Sequence, residues 1–288
     1  PPILSFRARN PLRRAHHRTS AESMTAPTGK CVPLATLLCI MAGVFAGAEE
    51  PVDKVAAGSE TVVLLHGMGR TRASMWLMEV RLRSAGYTVL NFPYSAKATT
   101  MDLLSEELRV FLAEKVETPV YHLIGHSLGN IILRNGFKKG YPPGLGRIVM
   151  LAPPNRPAEM ARAFKDNPIY RWFTGDSGQQ LASEEFYETL PVPPVEFGVV
   201  AGDRGQRLTF KEPNDGVVTV ESTKLEGMKA WALVHHAHTF IMNSRQVALL
   251  CMQFLRHGNF DLPPGLAEDQ GEMAGDSHRL TDDDPADD

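Results

Sequence analysis

Cysteine is scarce. The chain has three in 288 residues, Cys31, Cys39 and Cys251, so the disulfide framework that staples small exported domains is not available to it. Charge of one sign is lacking too: 30 Lys and Arg stand against 33 Asp and Glu, which removes the electrostatic case for nucleic acid. The sequence has no Cys-x-x-Cys pair, no matched acid pair beside its histidines and no carboxylate cluster of the kind calcium requires. A metal site therefore has no ligand set to start from. No internal repeat is visible. The apolar stretch from Val32 to Phe45 falls short of the roughly 20 residues that span a bilayer.

That stretch has another use. Met24, a lone Lys30, the apolar run and Ala46-Gly47-Ala48 ahead of Glu49-Glu50 have the layout of a secretory signal peptide over 24–48, with cleavage expected after Ala48. Export to the periplasm or beyond is the expected localisation, and retention through an uncleaved signal the less favoured one. Neither Cys31 nor Cys39 follows a Leu-x-Gly/Ala pattern, which argues against a lipidated anchor. Cleavage would leave Cys251 alone on the apolar face of a helix, a core residue rather than a reactive one. Residues 1–23 form a basic upstream segment, which a start at Met24 would leave untranslated. Residues 259–288 carry ten acids and one Arg, with Pro, Gly and few large apolar side chains, and are expected to be a disordered acidic tail. One domain, 49–258, remains between the tails.

Within it, strand and helix patterns alternate. Strands are expected at Thr61–Leu65, Tyr87–Phe92, the apolar run from Val120 up to Gly125, Gly146–Leu151, Val195–Ala201 and Lys229–Val234. Helices are expected at about Arg72–Ala85, Met101–Lys115, after Ser127, and at Ser244–Arg256. Alternation of this kind implies an α/β fold, a mostly parallel sheet of about six strands with helices on both faces. Chemistry should then sit at the carboxyl ends of the strands.

The third strand supplies the sharpest signal. Val120 to Ile124 is an apolar run that breaks into Gly125-His126-Ser127-Leu128-Gly129 and continues as a helix. Gly-x-Ser-x-Gly between a strand and a helix is the pattern of a nucleophile elbow, which makes Ser127 the candidate nucleophile. A serine nucleophile of this kind needs a histidine base and an acid to orient it, following in the order Ser, acid, His. The acid candidates are Asp203, directly after the fifth strand, and Asp215 in Asn214-Asp215-Gly216-Val217-Val218. The base candidates are His235, His236 and His238.

Over roughly residues 60–258 the chain resembles a minimal α/β-hydrolase of the secreted esterase and lipase group. The likeness rests on His66-Gly67-Met68-Gly69, Gly125-His126-Ser127-Leu128-Gly129, Ala152-Pro153-Pro154-Asn155, Asn214-Asp215-Gly216-Val217-Val218 and His238-Thr239-Phe240. It implies Asp215 as the acid and His238 as the base, with the backbone N–H groups of Met68 and Leu128 as the oxyanion hole. The residues agree with that selection. Asp203 precedes Arg204, which suits an ion pair or turn, and His238 has moved from the strand end onto a loop ahead of the closing helix.

The expected activity is hydrolysis of carboxylic esters through an acyl-serine intermediate. Transfer or amide hydrolysis by the same triad, and a hydrolase-fold protein that only binds a lipid or a partner, are the alternatives. Epoxide or haloalkane hydrolysis would need an aspartate where Ser127 stands. Residues 153–194 form a long excursion carrying Phe164, Ile169, Tyr170, Trp172, Phe173, Phe186 and Tyr187. As a lid or acyl-pocket wall it would favour a lipid-like or medium-chain acyl ester, with transient contact to a lipid surface. No cofactor and no obligate protein partner are implied.

Overall fold

The computed structural model describes residues 56–95, 100–156, 184–205 and 211–263. The segments read as upstream sequence and signal peptide, most of the excursion (157–183) and most of the acidic tail (264–288) lie outside the described residues.

Six strands form one sheet: β1 Glu60–Leu65, β2 Thr88–Asn91, β3 Val120–His126, β4 Leu145–Leu151, β5 Phe197–Gly202 and β6 Ala230–Val234. Every pairing is parallel, in the order β2-β1-β3-β4-β5-β6, so the chain starts near the middle and winds outward both ways. Helix α1 (Trp76–Ser84), preceded by a 3₁₀ turn at Arg72–Met75, follows β1; α2 (Met101–Lys115) follows β2; α3 (Leu128–Gly136) follows β3. The short α4 (Glu184–Glu188) precedes β5, and α5 (Arg245–His257) closes the domain. The helix ends follow local chemistry. The Thr100 and Ser244 hydroxyls accept from the Leu103 and Val247 N–H groups at the starts of α2 and α5, and Gly258 ends α5 with φ +73°.

Period-two side-chain alternation, fully apolar on both faces, explains the two layers of helix. Val62, Leu64, Ile124, Val149, Leu151 and Val200 face α1 and α5, where Met78, Leu82, Val247, Cys251 and Phe254 meet them. Their neighbours Val63, Leu65, Leu123, Ile148, Met150 and Val199 face α2 and α3, against Leu104, Leu108, Ile131 and Leu133. Each fully buried side chain of this size contributes about 1.5–3 kcal/mol. Cys251 is wholly buried, and burial pushes its thiol pKa up, as expected of a core position. Among the described residues no helix is long and apolar enough to cross a membrane.

The excursion after β4 is described only at its ends. Asn155 is buried, its carboxamide donating to the Thr223 carbonyl and accepting from the Arg134 guanidinium. Phe186 and Tyr187, expected from sequence as pocket wall, join the second core layer, Tyr187 buried and Phe186 partly so. The other five side chains named in that expectation lie outside the described residues.

Candidate active site

The carboxyl ends of β1, β3, β4, β5 and β6 share one edge because all five strands are parallel. Ser127 stands at that edge with φ 52° and ψ −119°, one of two described non-glycine residues in the positive-φ region; the other, Ala152, directly follows β4. A strained backbone at this turn is what lifts a serine hydroxyl clear of the sheet. The flanking glycines are dictated by contact. A Cβ on Gly129 would lie 2.7 Å from the Leu65 carbonyl oxygen, and one on Gly125 would lie 2.3 Å from the Asn130 side-chain oxygen. Substitution at either would push β1 or α3 away from the elbow.

His238 reaches this serine. Its Nε2 lies 2.9 Å from Ser127 Oγ and its Nδ1 lies 2.7 Å from Asp215 Oδ2. A carboxylate only accepts, so Nδ1 carries the proton and Nε2 presents its lone pair to the serine O–H. Asp215 has no exposed side-chain surface. Its other oxygen, Oδ1, accepts from the Val217 and Val218 N–H groups at 3.0 and 2.7 Å, which aims Oδ2 at the imidazole. The backbones are joined as well, the His238 N–H donating to the Asp215 carbonyl at 2.9 Å.

Asp203 and His235, the other acid candidate and one of the other base candidates, form a pair of their own, Oδ1 to Nδ1 at 2.8 Å, with His235 largely exposed. Among the described residues neither His235 nor His236 makes a hydrogen bond to Ser127. His236 is half-buried, and that burial, with the charge of His235 next to it, lowers its pKa.

The loop His66-Gly67-Met68-Gly69 leaves β1 against the elbow, where a Cβ on Gly67 would come 3.2 Å from Ser127 Cβ. Met68 is half-buried against the α2–α3 layer. Leu128 opens α3, so its N–H is one of the unpaired donors of that helix's first turn. Both groups proposed as oxyanion donors therefore belong to segments that adjoin the serine. The Tyr94 ring stacks on His66 at a centroid distance of 4.1 Å and its hydroxyl donates to the His66 carbonyl, clamping the start of this loop. Burial raises the Tyr94 pKa and lowers that of His66, so both are neutral partners.

Sequence reasoning passed over Tyr94. Its signal was available, since it stands three residues past the end of β2, on the functional edge. Arg134 was also missed. It is buried in α3, its guanidinium pKa pushed down to about 10 by burial, and it donates to the Pro191 and Leu190 carbonyls and to Asn155. That set of bonds ties both ends of the excursion to the elbow helix. Among the described residues no group of His, Cys, Asp and Glu is placed to hold a metal ion.

A family model described as "Alpha/beta hydrolase family" matches residues 62–264. No curated protein matches the chain. Among solved structures, a thermophilic esterase from Thermogutta terrifontis is similar at 13% identity, covering 70% of this chain and 91% of that one, with a TM-score of 0.50. An esterase from Exiguobacterium antarcticum is similar at 16% identity, covering 70% and 93%, also with a TM-score of 0.50. These likenesses are of fold, and they agree with the parallel sheet found here. On the match over 62–264, the chain belongs to the alpha/beta hydrolase family.

Proposed function

We propose that the protein is a serine hydrolase of carboxylic esters, with Ser127 as nucleophile, His238 as general base and acid, and Asp215 as the acid that orients it. The observation that carries this reading is the continuous chain Ser127 Oγ, His238 Nε2, His238 Nδ1, Asp215 Oδ2, with links of 2.9 and 2.7 Å inside general-base reach. As Oγ attacks the ester carbonyl, His238 Nε2 takes the serine proton, and Asp215 stabilises the imidazolium. The tetrahedral oxyanion is met by the Leu128 and Met68 N–H groups. Its collapse expels the alcohol, which receives the proton from His238. Water then repeats the cycle on the acyl-serine and releases the acid.

A lipid-like or medium-chain acyl group is the proposed substrate. One apolar side chain beside this edge supports it: Phe240, two residues beyond His238, is 60% exposed. It offers a rim for an acyl chain or transient contact with a lipid surface. Export is proposed on the signal-like 24–48 segment, with a secreted or periplasmic location.

The test is hydrolysis of p-nitrophenyl esters from acetyl to palmitoyl, with Ser127→Ala beside the wild type. The reading expects turnover with an optimum beyond acetyl and a loss of several orders of magnitude in the variant. Activity confined to acetyl esters would refute the lipid part, and undiminished activity in Ser127→Ala would refute the nucleophile.

A further inference from the structure

His126, the residue before the candidate nucleophile, is a buried histidine that the mechanism leaves unused. Its ring is 2% exposed and lies between two loops of the site. On one side it packs against the ring of His238 at a centroid distance of 4.9 Å. On the other it crowds Gly67, where a Cβ would fall 2.8 Å from His126 Nδ1. Its Nε2 lies 3.0 Å from the backbone carbonyl oxygen of His238. A carbonyl only accepts, so Nε2 holds the proton and donates. In the neutral ring Nδ1 is then a bare acceptor, and it has no hydrogen-bond partner among the described residues.

Packing alone does not explain an imidazole here. A leucine would fill an apolar gap without burying an unpaired acceptor, which is a costly arrangement. What the imidazole adds is one directed bond across 112 residues of sequence to the main chain of His238. The His238 N–H is already held by the Asp215 carbonyl, so the His126 bond fixes the other side of the same residue.

We propose that His126 is a positioning residue: by donating from Nε2 to the His238 carbonyl it sets the height at which the His238 imidazole meets both Ser127 and Asp215, while its ring spaces that loop from the oxyanion loop at Gly67. The proposal rests on the functional reading of Ser127, His238 and Asp215. It explains why Gly67 must lack a side chain and why the elbow carries a histidine at a position that touches no substrate atom in the mechanism.

The discriminating variants are His126→Leu, which keeps apolar bulk and removes the donor, and His126→Gln, whose amide nitrogen reaches the Nε2 position. His126→Asn, whose amide falls short, covers the case in which the leucine variant does not fold. A misplacement on the scale of an ångström predicts a fall in kcat of about 100-fold for His126→Leu and for His126→Asn, with KM little changed, and recovery to within about fivefold in His126→Gln. In a His238→Ala background, adding His126→Leu should change the residual rate by less than about twofold, because a residue acting through His238 has nothing left to position. An additive loss in that background, or equal rates for the Asn and Gln variants, would overturn the proposal.

A second readout needs no substrate. The downfield proton resonance of His238 Nδ1–H, bonded to Asp215, should persist in His126→Gln and broaden or vanish in His126→Leu and His126→Asn. An unaltered resonance in the folded His126→Leu or His126→Asn protein refutes the positioning role, whether or not the protein hydrolyses esters. Absence of ester turnover by wild type, with the resonance responding as expected, would instead refute the ester reading alone.

Discussion

Replacing Asp215 by asparagine alters one proton on His238 with little change of shape. The carboxamide oxygen should take the Oδ1 place, keeping the Val217 and Val218 N–H bonds at 3.0 and 2.7 Å. Its NH₂ then faces His238 Nδ1 at 2.7 Å. Two donors cannot share that contact, so the imidazole moves its proton to Nε2 and turns a donor toward Ser127. The base is present, but in the wrong tautomer. In serine hydrolases with this geometry such a swap lowers kcat by about 10⁴, equivalent to about 5 kcal/mol of barrier. Folding should lose far less, about 2 kcal/mol, because the bonds to Oδ1 survive and lose only their charge assistance. Steady-state hydrolysis of a medium-chain p-nitrophenyl ester, with urea unfolding on the same samples, measures both quantities. A variant retaining more than a tenth of wild-type kcat would refute the assignment of Asp215.

Asp203→Asn, which disturbs only the exposed pair with His235, should leave kcat/KM within about twofold of wild type; a loss of 100-fold would move the acid role to Asp203. Arg134→Met should strand the Pro191 and Leu190 carbonyls and the Asn155 oxygen, lowering unfolding free energy by about 3 kcal/mol or more, read as a drop in urea midpoint at unchanged slope. Gly129→Ala forces a methyl group to within 2.7 Å of the Leu65 carbonyl, and should cost about 1–3 kcal/mol in the same assay. Acid should destabilise the fold through its buried histidines. His126, deeply buried beside His238, has its pKa held well below the ordinary value, and burial lowers those of His66 and His122. The unfolded chain therefore binds protons near pH 6.5 that the native state refuses. Stability should fall as pH drops below about 6.5, by up to about 1.4 kcal/mol per pH unit for each such histidine. Urea unfolding between pH 7 and 5 should show that slope, smaller in His126→Gln, and a flat profile would contradict the burial of these rings.

Elements that depend on local pattern were readable in advance. Helix α2 begins and ends where the pattern of Met101–Lys115 placed it, and the apolar strands fell within two residues of their expected bounds. The elbow was legible because strain, strand, helix and two glycines all coincide within five residues. Choosing between Asp203 and Asp215 was harder. Both lie on the loop after β5, and both aspartates do pair with a histidine. What separates the two pairs is the turn at Val217 and Val218, whose N–H groups hold Asp215 so that it faces His238, and turn geometry of that kind is not encoded by spacing. His126, Tyr94 and Arg134 act through contacts with backbone carbonyls 112, 28 and 57 residues away, which no periodic pattern can reveal. Phe186 and Tyr187 were ambiguous for the opposite reason. Their aromatic character fits a pocket wall and a core equally, and both join the core layer on the α2–α3 side of the sheet.

The most direct test of the central claim is to treat the folded protein with a fluorophosphonate and locate the adduct by peptide mass spectrometry. The account predicts one adduct per chain, on Ser127, abolished in Ser127→Ala and slowed by orders of magnitude in His238→Ala. No adduct on folded wild-type protein, or an adduct on another residue that survives Ser127→Ala, would contradict it.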